Sequence, residues 1–229
     1  YKNILRCFYL NDGSECWKVQ TEESFTVSKS KFSLIIKDNL IIFNNSIGDI
    51  TAVDIDRGET LWQLPTQSSS VYESAFSLET SDLILDNDTL YFSNNRNQIF
   101  SIDINVGNFN WENQVNSNIR PSITENFLFT VSIEGYLVVI EKNSGNIIRI
   151  TDVFKNFKSK KRSNIKPTGF IIGLKNIYLS TSNGRLLVID ITSGKTISTL
   201  KIDNDKISRP LILDKNLFIT KDNAIIKLN

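Results

Sequence analysis

Histidine and methionine are both absent from the 229 residues, and cysteine occurs only twice. The missing imidazole removes the commonest general base and the commonest nitrogen ligand for a metal, which weighs against many enzymes. Long apolar runs are missing as well: no stretch approaches the ~18 residues of a membrane-crossing helix. Charge of one sign is not in excess, with 26 lysines and arginines against 25 acidic residues, so no global field points to nucleic acid or an anionic membrane. The chain also shows no glycine-rich phosphate loop, no zinc-ligand spacing and no serine nucleophile elbow. What remains is an ordinary globular composition, 40% apolar, long enough to bury a core. Cys7 and Cys16 flank a short turn, where either a cross-strand disulfide or two buried free thiols would fit.

Against these absences stands a repeat. Five times, at intervals of roughly 40 to 50 residues, an apolar run ends in a polar turn closed by glycine: Gly13, Gly58, Gly107, Gly145 and Gly194. The three tryptophans, Trp17, Trp62 and Trp111, each lie four positions after such a glycine. Four positions before it stands an acidic residue in four of the copies: Asp54, Asp103, Glu141 and Asp190. Each part has a physical use. The carboxylate accepts hydrogen bonds from turn N–H groups, the glycine supplies a positive φ, and the indole offers a flat apolar face with one donor. The fourth and fifth copies carry Arg149 and Ser198 in place of tryptophan and must seal differently.

Within each repeat, short apolar runs alternate with turn residues, and helical periodicity is nearly absent. Residues 169–173, 176–181, 185–190 and 195–200 read as four strands of one unit, and residues 33–36, 40–44, 49–54 and 60–64 as those of another. Four antiparallel strands per unit is the pattern of a propeller blade, so the expectation is an all-β β-propeller with about five repeats in one domain over residues 1–229. The chain opens and closes on third-strand matches, residues 5–10 and 225–228, which leads to the expectation that it is the C-terminal part of a larger ring.

The stretch Ala52, Asp54, Gly58, Trp62 resembles the tryptophan-docking motif of pyrroloquinoline-quinone-type propeller repeats, with Arg57 where that motif has threonine. Asp103, Gly107 and Trp111 match it too, and Gly13 with Trp17 match its second half. The resemblance implies an eight-bladed ring and offers two branches. Quinoprotein dehydrogenases bind the quinone and calcium on the ring axis, and resemble one another in an adjacent cysteine pair that this chain lacks. The BamB-like branch implies a periplasmic, outer-membrane-associated scaffold without cofactor or catalysis, whose protein partner is the periplasmic part of an outer-membrane insertase. The chain is more similar to the second branch, notably in its closing residues 215–229. Asp54, Asp103 and Asp190 are read as turn residues rather than as calcium or catalytic carboxylates. The alternative is a quinone-dependent dehydrogenase, or a degenerate relative that binds a small ligand on the axis.

Three further features bear on partners. Residues 151–166 set Lys155, Lys158, Lys160, Lys161, Arg162 and Lys166 against Asp152 alone, with Phe154 and Phe157 three apart. Such a loop suits an acidic protein surface, the aromatics anchoring and the charges steering, or anionic lipid; the plain reading is a solvated loop over its own phenylalanines. A serine-rich stretch, residues 66–76, is a second candidate contact loop. Arg120, Lys166 and Arg209, each before a proline, recur at one repeat phase, suited either to an anion site on the axis or to capping strand starts.

Overall fold

The computed structural model describes residues 3–21, 32–66, 78–222 and 224–228. These fall into two compact units, Tyr1–Gln114 and Val115–Asn229. The first holds a hairpin of β1 (Ile4–Phe8) and β2 (Glu15–Gln20) and two four-stranded sheets. One sheet is β3 (Leu34–Lys37), β4 (Leu40–Asn44), β5 (Ile50–Asp54) and β6 (Thr60–Leu64); the other is β7 (Ile84–Asp86), β8 (Thr89–Asn94), β9 (Gln98–Asp103) and β10 (Asn108–Asn113). The second unit has the sheet β11 (Ser122–Ile123), β12 (Phe127–Val131), β13 (Tyr136–Glu141) and β14 (Ile147–Asp152). A one-turn helix α1 (Ser159–Arg162) leads to β15 (Pro167–Ile172), β16 (Asn176–Thr181), β17 (Arg185–Asp190) and β18 (Thr196–Lys201), and then to the three-stranded β19 (Leu211–Leu213), β20 (Asn216–Lys221) and β21 (Ala224–Leu228).

Each sheet is an antiparallel meander in chain order, the blade of a β-propeller. The strands read from the sequence stand within two residues of these bounds. The helix α1 was not expected, and residues 67–77, most of the serine-rich stretch, lie outside the described residues.

The order of strands within a blade follows from burial. Middle strands such as β8, β9 and β13 are buried along most of their length; β13 reads as an apolar run, while β8 and β9 also bury Ser93, Asn94 and Ser101. Fourth strands β10, β14 and β18 are largely exposed and mix charged with apolar residues. Within the first unit, Ile42, Ile50 and Ala52 pack with Leu90, Phe92, Phe100 and Ile102 of the next sheet. Phe92 and Phe100 stack at 4.9 Å between ring centroids, worth about 0.5–1.5 kcal/mol beyond area burial. In the second unit Leu137, Val139 and Phe154 share a core with Phe170, Leu179 and Leu187. Leu186 joins Ile207 and Ile219 in another.

Candidate functional site

The glycine turns close each third-to-fourth-strand hairpin in one way. The glycine N–H donates to the carbonyl of the acidic position four residues earlier: Gly58 to Asp54, Gly107 to Asp103, Gly145 to Glu141 and Gly194 to Asp190, at 2.8–2.9 Å. The acidic side chain then collects the turn. Asp54 Oδ1 accepts from the N–H groups of Asp56 (3.0 Å) and Arg57 (2.8 Å), and Asp103 Oδ1 from that of Asn105 (2.8 Å). Asp190 Oδ1 accepts from the N–H and hydroxyl of Ser193, bonds that hold its carboxyl below the usual carboxylate range. In the first hairpin Tyr9 stands at the acidic position, and Asp12 takes over by accepting from the Ser14 N–H and hydroxyl.

In two copies the tryptophan four after the glycine reaches the neighbouring blade. Trp17 Nε1 donates to Ile55 O at 3.0 Å and Trp62 Nε1 to Ile104 O at 2.9 Å, so each indole caps the residue after the next blade's aspartate. The ring lies on the next glycine: a Cβ at Gly58 would come within 2.6 Å of Trp17 Cγ, and one at Gly107 within 2.5 Å of Trp62 Cδ2. Both glycines have φ near +70°, so turn geometry and close approach each require glycine. Trp111 pairs with Ser101 across its hairpin and tilts against Tyr91 at 5.9 Å.

Arg149 solves the same problem without an indole. Its Nη2 donates to Ile191 O at 2.8 Å, the carbonyl equivalent to Ile55 O and Ile104 O, and Nη1 donates to Thr192 O. A Cβ on Gly194 would lie 3.1 Å from Arg149 Nε and 2.6 Å from Thr151 Oγ1. A guanidinium, planar and rich in donors, thus stands in for the tryptophan ring.

A bulge stands at this position in each of the five glycine-turn hairpins described. Trp17, Trp62, Trp111, Arg149 and Ser198 pair with Cys7, Ala52, Ser101, Val139 and Val188, and the register slips by one residue beside each pair. The extra residues are Cys16, Leu61, Asn110, Ile148 and Ile197. A bulge bends its strand and re-aims the following side chain. No residue type marks these positions, so the sequence gives no sign of them.

The loop after β14 is built differently from a flexible tether. Phe154 is fully buried and Phe157 half-buried against it, edge to face at 5.2 Å, and a Cβ on Gly135 would meet the Phe154 ring at 2.2 Å. Arg162 Nη1 donates to Asp152 Oδ2 at 2.7 Å, its Nη2 to Glu134 O at 3.3 Å, and its guanidinium lies 5.5 Å from the Tyr136 ring centroid. The bond to Asp152 raises the Arg162 pKa above its already high value. Both phenylalanines and Arg162 therefore hold the loop down. The face turned to solvent carries Lys155, Lys158, Lys160, Lys161 and Lys166, all exposed and, among the described residues, without an ion pair.

A family model described as outer membrane protein assembly factor BamB matches residues 1–151. The chain belongs to the BamB family. Among solved structures it is similar to the crystal structure of BamB from Moraxella catarrhalis, with a TM-score of 0.76 at 14% identity, covering 99% of this chain and 66% of that one. It is also similar to the β-propeller domain of Cps50 (Swd1) from Myceliophteria thermophila, with a TM-score of 0.65 at 12% identity over 88% of this chain and 66% of that one. The computationally designed Ika8 protein matches with a TM-score of 0.58 at 14% identity, over 96% and 76%. No curated protein matches the chain in sequence. The chain thus spans 66% of the length of the BamB structure it resembles.

Two other features of this BamB-family chain bear on ligands. A cavity of about 140 Å³ in the first unit, lined by Asn3, Leu5, Phe32, Phe43 and Asn45, is below the ~300 Å³ at which small-molecule sites begin. Of the basic residues before prolines, Arg209 Nε donates to Phe170 O at 2.9 Å and its stem lies against Gly169, so it clasps two sheets together, whereas Arg120 and Lys166 are exposed.

Proposed function

We propose that the chain is a non-catalytic, protein-binding scaffold of the BamB type, acting in the periplasm at the outer membrane as part of a larger, eight-bladed ring over which residues 1–229 form one domain. Its partner is the periplasmic part of an outer-membrane β-barrel insertase. The observation that carries this reading is the BamB-family match over residues 1–151, together with a fold in which the motif aspartates are consumed by their own turns.

The loop of residues 152–166 is the surface we assign to partner contact. Its phenylalanines lie beneath it and Arg162 is spent on Asp152, so the five lysines are what a partner meets. Lysine is a compact point charge without a planar fork, which fits a diffuse acidic surface better than bidentate capture of one phosphate. Phe154 is buried and Phe157 half-buried against it, which leaves the lysines as the loop's most exposed groups. Exposed charge pairs steer association and weaken with salt. The test is capture of purified insertase periplasmic domains by the chain and by a variant carrying Lys158→Glu, Lys160→Glu and Lys161→Glu. Capture by the parent that falls several-fold in the variant and with rising salt supports the assignment. Equal capture by both would remove the loop from the interface, and no capture by the parent would remove the scaffold reading itself.

A further inference from the structure

The β1–β2 hairpin carries two cysteines that neither the docking motif nor the proposed partner surface uses. Cys7 faces Trp17 across the hairpin, and Cys16 is the extra residue of the bulge. In a bulge two residues of one strand oppose a single residue of the other, which places Cys16 beside Cys7. The third hairpin shows the result of that placement. Ser101 and Asn110 occupy the same two positions, and Asn110 Nδ2 donates to Ser101 Oγ at 3.2 Å. The side chains at this pair of positions therefore meet on one face of the hairpin. Cross-strand positions of this kind fall within the ~4.4–6.8 Å Cα separation that a disulfide tolerates. Both cysteines are free thiols and half-buried, so solvent reaches them. Burial, followed by a hydrogen bond with Cys7, pushes the Cys16 thiol up to about 11. The equivalent pairs Ala52 with Leu61, Val139 with Ile148 and Val188 with Ile197 have no such chemistry.

We infer that Cys7 and Cys16 are a redox-active dithiol, closing to a cross-strand disulfide by exchange with a small-molecule disulfide such as oxidised glutathione. The Cys7 thiolate attacks one sulfur of the external disulfide, forming a mixed disulfide and expelling one thiolate. Cys16 then loses its proton to solvent and attacks the Cys7 sulfur; the Cys7–Cys16 bond forms and the second external thiolate leaves. Two protein thiols are oxidised, one external disulfide is reduced, and the two protons released reside on the expelled thiols. The balance is the same with the two cysteines exchanged, since either thiolate can open the external disulfide. The new bond ties β1 to β2 beside Trp17, whose indole anchors the hairpin to Ile55 and Gly58.

The test treats the full chain with oxidised glutathione at about pH 8, near the ordinary thiol pKa, followed by thiol titration, intact mass and peptide mapping. Free thiols should fall from two to none, the mass should drop by two hydrogens, and the fragments bearing Cys7 and Cys16 should be joined within one chain. Cys16→Ser should instead retain glutathione on Cys7. Stable glutathione adducts on the parent, unreacted thiols, or joining only between chains would overturn the proposal.

Discussion

At the scale of the residue, the contact that joins blades is one side chain laid on one glycine. Trp62 is half-buried rather than fully enclosed, so truncation to alanine is expected to cost about 2–3 kcal/mol, less than the loss of a fully buried tryptophan, with the broken bond to Ile104 O included. An unchanged denaturant midpoint would refute this. Gly107→Ala attacks the same contact from the other side, adding a methyl into the indole at a position of positive φ; about 2–4 kcal/mol is expected from overcrowding and backbone strain together. Arg149→Met keeps the stem but removes two donors to Ile191 O and Thr192 O, and should cost about 1–3 kcal/mol by urea unfolding, the range for charge-assisted bonds. The tryptophan contact was legible because three rare residues share one phase of the repeat. The arginine was not, because nothing in a single sequence says that a guanidinium can reach the same carbonyl as an indole.

Among the elements, the last blade offers a pH-dependent contact. Lys221 on β20 donates to Asp203 Oδ2, and the N–H groups of Asn204 (2.6 Å) and Asp205 (3.1 Å) donate to Oδ1. These bonds, that of Lys221 foremost, hold the Asp203 carboxyl at about 2, below its ordinary 3.8. A depressed carboxylate contributes stability that is complete above the ordinary value and lost as pH falls through the folded one. The contact should therefore persist at pH 4 and above and weaken progressively toward pH 2, seen as faster amide exchange in β19–β21. Asp203→Asn should flatten that dependence; the same acid profile in variant and parent would exclude Asp203 as its source. Strand positions were readable throughout, since alternation and turn residues mark them locally. The bulges were not, because Cys16, Leu61, Asn110, Ile148 and Ile197 share no chemistry. The loop of residues 152–166 was readable as basic, while the downward direction of Phe154, Phe157 and Arg162 depends on Gly135, Glu134 and Tyr136, residues of the preceding hairpin.

For the molecule as a whole, repetition explains both what is fixed and what varies. The turns and docking contacts recur in both units and engage the conspicuous carboxylates, leaving the connections between blades to differ in sequence. On the proposed scaffold reading, binding falls to the surfaces that the strands hold in place. The most direct measurement is calorimetric titration of the chain with insertase periplasmic domains, with pyrroloquinoline quinone plus calcium titrated in parallel. Saturable protein binding that weakens with salt, and no quinone binding, is the expected result. Quinone binding without a protein partner would contradict the scaffold reading and return attention to a ligand on the propeller axis.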